Sequence, residues 1–412
     1  MNNKNIILIK KKNYEHSKFE FVERKGIGHP DTLADALAEE LSRVYSNYTI
    51  SKFGTILHHN FDKVGLLGGK SSVKFGEGRL TSPIRVLLNG RASICFGNTP
   101  IPVKELLEGA AKRFLVNFFP LIDAGKDIEI HFNLSNSSSP GNTENSLVKD
   151  NTRKYWFEPR NFEDLPELVN LFSNDTSLGC SYAPLSLTEN IVLKIERYLN
   201  SPEYKKSHPW LGTDIKIMAS MLEDLLDMTL ALPLIANHVP DARSYKNNLE
   251  IVKLDILEFI KKIDSNISIS LHVNTRDDYK KNEFYLTAIG SSIETGDEGL
   301  VGRGNRINGL ITPLKPMSIE GACGKNPVYH VGKLYNIAAA NIAQKLHEIT
   351  RGYVEVFLVS QSGRDLLDPW KIIVSAENNE VKDVDMIEVI EEEIKKITNM
   401  KDSLLKGEIQ LF

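Results

Sequence analysis

Hydrophobic positions along the chain follow two rhythms, one of period 3.6 and one of period two. From Asp31 to Tyr45, residues Leu33, Ala34, Leu37, Leu41 and Val44 share one helical face, with Asp31 placed as N-cap. Strand-like runs follow at Gly54–His58, Val64–Leu67 and Ile84–Phe96, punctuated by Gly68-Gly69 and by Gly76-Glu77-Gly78. The spacing predicts a second helix over Val103–Phe118, introduced by Pro100 and Pro102 and stopped by Pro120. Ile128, Ile130, Phe132 and Leu134 alternate as in a half-buried strand, and the polar run Ser135–Asn142 breaks the pattern as a loop. Further helices are predicted at Thr188–Leu199, Ala242–Ile263, Val331–His347 and Val384–Leu405, and further strands at Ile267–Val273 and Phe284–Ile289. Helices and strands come in short mixed packets without strict βαβ alternation, which predicts an α+β fold.

Length adds a constraint. Single cores rarely grow past ~250–300 residues, so 412 residues predict two or three domains. A formal net charge of −4 supplies no global basic field, so nucleic acid and anionic membranes are not expected partners. Phosphate chemistry, if present, needs a local cluster. Cys95, Cys180 and Cys323 lie far apart without CxxC spacing, which argues against a disulfide framework or structural zinc and fits a reducing, cytoplasmic setting. The apolar run Ile6–Ile9 is too short for a secretory leader, and no stretch approaches the ~18–20 apolar residues of a membrane span.

Three segments carry candidate chemistry. In Glu23–Asp31 a histidine and a carboxylate, His29 and Asp31, sit in a Gly/Pro-bounded turn that feeds a helix N-terminus. Free backbone N–H groups and the positive dipole end suit an anionic substrate, and the carboxylate suits Mg²⁺. The plainer reading is a capping aspartate beside a surface histidine. In the second segment, Gly296–Arg306 continuing to Lys325 and Lys333, glycines let backbone approach a ligand closely. Asp297 lies at its head, and Arg303, Arg306 and Lys325 offer donors for phosphate oxygens. A solvated loop of mixed charge is the alternative. The third segment places Asp214 and Lys216 two apart on a strand-like run, hence on one side, as substrate ligands or as an exposed ion pair. The adjacent His58 and His59 point to opposite faces of a strand, which disfavours a shared transition metal; Asp62 remains within reach of a nucleotide pocket.

Together these stretches resemble the archaeal-type methionine adenosyltransferases (S-adenosylmethionine synthetases). The matching segments are Val22–Asp31 (VERKGIGHPD), Lys52–Asn60 (KFGTILHHN), Asn174–Ser186 (NDTSLGCSYAPLS), Asp214–Met218 (DIKIM), Gly302–Met317 (GRGNRINGLITPLKPM) and Gly324–Lys333 (GKNPVYHVGK), in the family's order. The resemblance implies three similar α/β-layer domains around a pseudo-threefold axis, laid out approximately as 1–134, 135–275 and 276–412. It implies attack of methionine sulfur on C5′ of ATP, hydrolysis of the displaced tripolyphosphate, Mg²⁺ as cofactor with K⁺ left open, and a homodimer or higher homo-oligomer. By position, His29 matches a histidine that steadies the leaving triphosphate, and Asp31 a Mg²⁺-binding aspartate. Asp214 and Lys216 match a carboxylate–lysine pair, Asp297 a substrate-binding aspartate, Arg303 and Lys325 phosphate-binding cations. Ser135, Asn136, Ser137 and Ser138 fall where the family has an ATP-site loop, and Arg306 and Lys333 complete the expected binding set.

That loop also departs from the family. A Gly-Gln-Gly-Ser type sequence followed by an acid is replaced by Ser135–Pro140, and the segment to Asn174 is longer than usual. Serine admits positive φ and close backbone approach only at a cost of order ~1 kcal/mol. Either the loop is rebuilt around ATP and methionine, or the enzyme takes an altered thioether or nucleotide. A non-catalytic nucleotide-binding paralogue is the third reading, and the retained cationic set counts against it.

Overall fold

The computed structural model describes residues 5–12, 17–137, 155–165, 168, 170–377 and 380–412. It is a mixed helix-and-sheet fold built on three sheets with one pairing scheme. In each, two strands pair in parallel at one edge and the remaining neighbours pair antiparallel. The first runs Ile6–Lys11, Lys371–Glu377, Val354–Val359, Leu178–Ala183. The second runs Ile128–Ser135, Ile84–Ala92, Gly65–Leu67, Glu298–Leu300, with His59–Asn60 added beside Ile84–Ala92. The third runs Ser268–Val273, Leu225–Ala231, Lys216–Leu222, Phe19–Lys25. Every sheet draws strands from distant parts of the sequence.

Each sheet packs under two helices, and each pairing has its own apolar core. Helices Val331–Thr350 and Asp383–Lys395 cover the first. Pro30–Phe53 and Val103–Phe118 cover the second, and Leu187–Leu199 and Ala242–Ile263 the third. Local sequence explains the helices. Asp241 caps Ala242–Ile263, whose Tyr245, Leu249, Val252, Ile256 and Ile260 are buried at spacings of three and four. Ser186 and Glu189 form a capping box ahead of Leu187–Leu199.

The structure corrects several expectations. His29, not Asp31, is the N-cap of Pro30–Phe53; Asp31 is the second helical residue. That helix runs on to Phe53 and ends at Gly54 in the left-handed conformation, so the predicted strand Gly54–His58 is absent and only His59–Asn60 pairs. Ile84–Phe96 divides into Ile84–Ala92 and Cys95–Phe96. Phe284–Ile289 contributes only Leu286–Thr287. The last predicted helix is broken by a 3₁₀ turn, Lys396–Asn399, into Asp383–Lys395 and Met400–Lys406. Asp214 lies just before its strand, which starts at Lys216. Among the described residues no helix is long and apolar enough to cross a membrane.

Candidate functional site

The turn before Pro30–Phe53 is pinned to the chain leading into the third sheet. Gly26 N donates to Ile215 O at 2.8 Å, and Gly28 N to Thr213 O at 3.1 Å. A Cβ on Gly28 would stand 2.2 Å from Thr213 Oγ1, so only glycine permits this approach. The buried Arg24–Glu196 ion pair (2.7 Å) anchors the turn from below, and Glu196 also accepts from Ile27 N at 3.1 Å. This docking gathers His29, Asp31, Asp214 and Lys216.

His29 is nearly buried, and its Nδ1 accepts the backbone N–H of Asp31 at 3.2 Å. Burial pushes its imidazolium below the ordinary histidine range; the charges of Asp214 and Asp31 oppose this, and Lys25 and Lys216 add to it. A neutral ring that accepts at Nδ1 carries its proton on Nε2, which is then a donor. Asp31 Oδ2 meets Lys25 Nζ at 2.7 Å, and its Oδ1 accepts Leu300 N at 2.9 Å. Lys25 Nζ also donates to Arg303 O at 2.7 Å, bringing the glycine-rich loop to the same place. Gly299 completes that approach, since a Cβ there would lie 1.9 Å from Pro30 O.

Asp214 is buried, and burial raises its carboxyl pKa while His29 and Ser292 act the other way. Its Oδ2 accepts from Ser292 N (2.8 Å), Ser292 Oγ (2.6 Å) and Tyr285 Oη (3.3 Å). Ser292 Oγ also reaches the exposed Asp297 at 3.0 Å. Lys216 pairs with Glu23 at 3.1 Å. Beside this group opens a pocket of about 510 Å³ lined by Ala231, Asn274, Arg276, Phe284, Tyr285 and Ser292. The guanidinium of exposed Arg303 has no side-chain partner among the described residues.

Lys325 and Lys333 belong to a second group. Lys325 Nζ is enclosed by Asp62 (3.0 Å), Glu320 (2.6 Å) and Gly321 O (2.6 Å). Burial lowers its pKa, but the two acids outweigh that and hold it above the ordinary lysine value. Fully buried Lys333 meets both oxygens of Glu39 at 2.7 Å. Asp31, Asp35 and Glu39 lie four apart on one face of Pro30–Phe53, so the helix joins the two groups across roughly 12 Å at 1.5 Å per residue. Between them, Asp35 Oδ1 accepts Gly302 N at 2.9 Å, and its buried Oδ2 has no partner among the described residues. Arg306 is spent on the carbonyls of Gly302, Gly304 and Ser318 at 2.6–3.1 Å, holding the loop.

A cavity of about 300 Å³ adjoins Lys325, lined by His58, Asp62, Arg91, Trp156, Tyr329 and His330 among others. His58 and His59 do go separate ways: His58 meets Tyr329 Oη at 2.7 Å and stacks on Trp156, while His59 meets Ser42 Oγ at 2.7 Å. Ser135 ends its strand and accepts Ser137 N at 3.0 Å; Asn136 bonds Glu158. Ser138 lies outside the described residues. Lys25, Asp35, Glu39, Ser292, Tyr285 and Glu320 escaped the sequence reading. The i, i+4 recurrence of acids after Asp31 is the signal that could have found Asp35 and Glu39.

Comparison with known proteins agrees with this arrangement at the level of fold first. A solved structure described as an unusual S-adenosylmethionine synthetase from Campylobacter jejuni superposes with a TM-score of 0.58, covering 95% of this chain and 94% of the other at 12% identity. The family model for S-adenosylmethionine synthetase (AdoMet synthetase) matches residues 2–408. The S-adenosylmethionine synthase of Hyperthermus butylicus is 37% identical, covering 99% of this chain and 100% of that one. That of Methanocaldococcus jannaschii is 38% identical over 97% of each, and that of Thermoplasma volcanium 42% over 85% of this chain and 83% of its own. The chain therefore belongs to the S-adenosylmethionine synthetase family, a family of methionine adenosyltransferases, as the motifs led one to expect.

Proposed function

We propose that the chain forms S-adenosylmethionine from ATP and L-methionine and then hydrolyses the tripolyphosphate to phosphate and diphosphate. The observation that carries this reading is the gathering of His29, Asp31, Asp214 and Lys216 by the docking of the turn at 26–29 onto residues 213–215. In the transfer, a sulfur lone pair forms the S–C5′ bond while the C5′–O bond breaks and its electrons leave with the tripolyphosphate. Thioether sulfur needs no base, so stabilising the departing charge is the main catalytic task. Neutral His29 donates from Nε2 to the leaving oxygen, and Lys216 and Arg303 add positive charge. Asp214 and Asp297, joined through Ser292, orient substrate.

Asp31 suits Mg²⁺. Each of its oxygens accepts one protein donor and keeps a lone pair, and Mg²⁺ takes one or two carboxylates plus phosphates. Among the described residues no three His, Cys, Asp or Glu side chains form a cage of their own. The ion would neutralise phosphate charge there. K⁺ enters this reading only as an assay component to omit and restore.

The third sheet supports a homodimer or higher homo-oligomer. Phe19, Phe21, Met218, Leu222 and Leu225 are exposed, and their registers put them on one face with the Glu23–Lys216 pair. Such a patch beside a functional group is a typical partner surface. The three interlaced sheet-and-helix layers serve as the three domains in this reading.

Incubation with ATP, methionine and Mg²⁺, assayed for sulfonium and for phosphate, tests the function. Both products are expected. Triphosphate hydrolysis without sulfonium favours the altered-acceptor reading. Neither product favours a non-catalytic paralogue.

A further inference from the structure

A third cavity lies on the other side of residues 211–213, away from the groups above. It measures about 350 Å³ and is walled by Phe118, Phe119, Leu121, Ile235 and Ile289, with Lys205 and His238 as its basic side chains. Lys205 sits in the short helix Pro202–Ser207 and donates to Leu211 O at 3.1 Å and Gly212 O at 2.6 Å. An ammonium has three donors, so one is left over. No carboxylate comes within ion-pair distance of Lys205 among the described residues, whereas the deeply buried Arg24, Lys325 and Lys333 each have one or two. Burial pushes the Lys205 ammonium down to about 7, with the charge of Glu196 acting the other way. The protein thus sets a lysine against an apolar wall and supplies no anion to hold its proton, which a bound carboxylate would do.

We propose that this cavity binds a small amphiphilic monocarboxylate, its apolar body against Phe118, Phe119, Leu121 and Ile289 and its carboxylate on Lys205. Charge complementarity selects an anion, and the aromatic and aliphatic wall selects a hydrocarbon body over a phosphate or a sugar. Thr213 lines the cavity and also pins the turn, while His29, Asp31, Asp214 and Lys216 do not line it. Lys205 holds the carbonyls of Leu211 and Gly212, and the next carbonyl, Thr213 O, holds Gly28 N. Occupancy therefore steadies the turn that carries His29.

The test uses the full chain without ATP or methionine, so its outcome is independent of adenosyl transfer. Phenylacetate and its neutral counterpart, 2-phenylethanol, are titrated calorimetrically into the wild type, Lys205→Met and Leu121→Trp. A charged hydrogen bond is worth about ten- to a hundredfold in affinity. Phenylacetate is expected to bind the wild type at least about tenfold more tightly than 2-phenylethanol, and to lose about tenfold or more in Lys205→Met. Leu121 is 55% exposed at the rim, so Leu121→Trp fills the cavity without threatening the fold and abolishes binding of both probes. Saturating phenylacetate slows amide hydrogen exchange over residues 26–31. Equal affinity for the two probes, unchanged affinity in Leu121→Trp, or unaltered exchange at 26–31 overturns the proposal.

Discussion

His29 Nδ1 accepts the backbone N–H of Asp31 at 3.2 Å, and this one bond fixes where the neutral ring can carry its proton. The ring is both helix cap and Nε2 donor, and substitution can separate the two roles. Asparagine is among the best N-caps, so His29→Asn should unfold within about 0.5 kcal/mol of wild type. His29→Ala loses the cap as well, at about 1 kcal/mol. Both should lower kcat by about a hundredfold or more, the scale of a lost oxyanion donor, with smaller changes in KM for ATP. Urea unfolding and steady-state kinetics on the two variants check the separation. Full activity in His29→Asn would remove the Nε2 donor from the account.

Asp35 makes stability depend on pH. Burial raises its carboxyl to about 7 against an ordinary value of 3.8, the Gly302 amide opposing. Between these values the folded chain keeps a proton that the unfolded chain has released, so this residue's contribution to stability falls as pH rises from about 4 to about 7. Buried His29 has the opposite sign, because its folded pKa lies below the unfolded one and stability is lost as pH falls below the ordinary histidine value. Asp35→Asn keeps an acceptor for Gly302 N and removes the titration. Urea midpoints at about pH 5 and about pH 8 should fall with rising pH by more in wild type than in the variant. Identical pH dependence contradicts the assignment.

Lys333 is fully buried against the mostly buried Glu39, and the halves of this ion pair are not independent. Lys333→Met leaves the Glu39 carboxylate with the Gly324 amide as its remaining donor and should cost about 3 kcal/mol, the low end for a broken buried pair. Lys333→Met combined with Glu39→Gln leaves no unpaired charge and should recover much of that loss. Equilibrium unfolding of the single and double variants measures the coupling directly.

Chelation separates metal from fold. Because Asp31 is proposed to hold Mg²⁺ together with substrate phosphates, EDTA should abolish turnover while leaving the melting temperature of the ligand-free protein unchanged. Asp31→Asn should raise the Mg²⁺ concentration needed for half-maximal rate by about tenfold or more, the scale of one charged contact. A protein that melts earlier in EDTA has a structural metal instead.

How much of this was legible in the sequence depended on whether the signal was local. Val103–Phe118 and Ala242–Ile263 match their predicted limits, because proline punctuation in one and a clean apolar period in the other act within the segment. Phe19–Lys25 is not legible locally because its partner, Lys216–Leu222, lies far along the chain, whereas Leu225–Ala231 pairs with that same neighbouring strand through a Glu223-Asp224 turn that lacks the glycine by which a hairpin is read. Aspartate is a common cap, so the sequence points to Asp31; the Pro30 ring and the His29 bond shift the start by two residues. In the site, His29, Asp31, Asp214 and Lys216 could be picked from their motifs. That Lys325 is enclosed by Asp62 and Glu320, and Arg306 turned onto three carbonyls, could not, because those partners are set by tertiary packing.

The central claim is that the polyphosphate of ATP leaves beside His29. A crystal structure with a non-hydrolysable ATP analogue, methionine and Mg²⁺ tests it most directly. The account predicts phosphate oxygens within hydrogen-bond reach of His29 Nε2 and the metal on Asp31. A nucleotide seated elsewhere, with His29 and Asp31 keeping only their contacts to each other, Lys25 and Leu300, would contradict it.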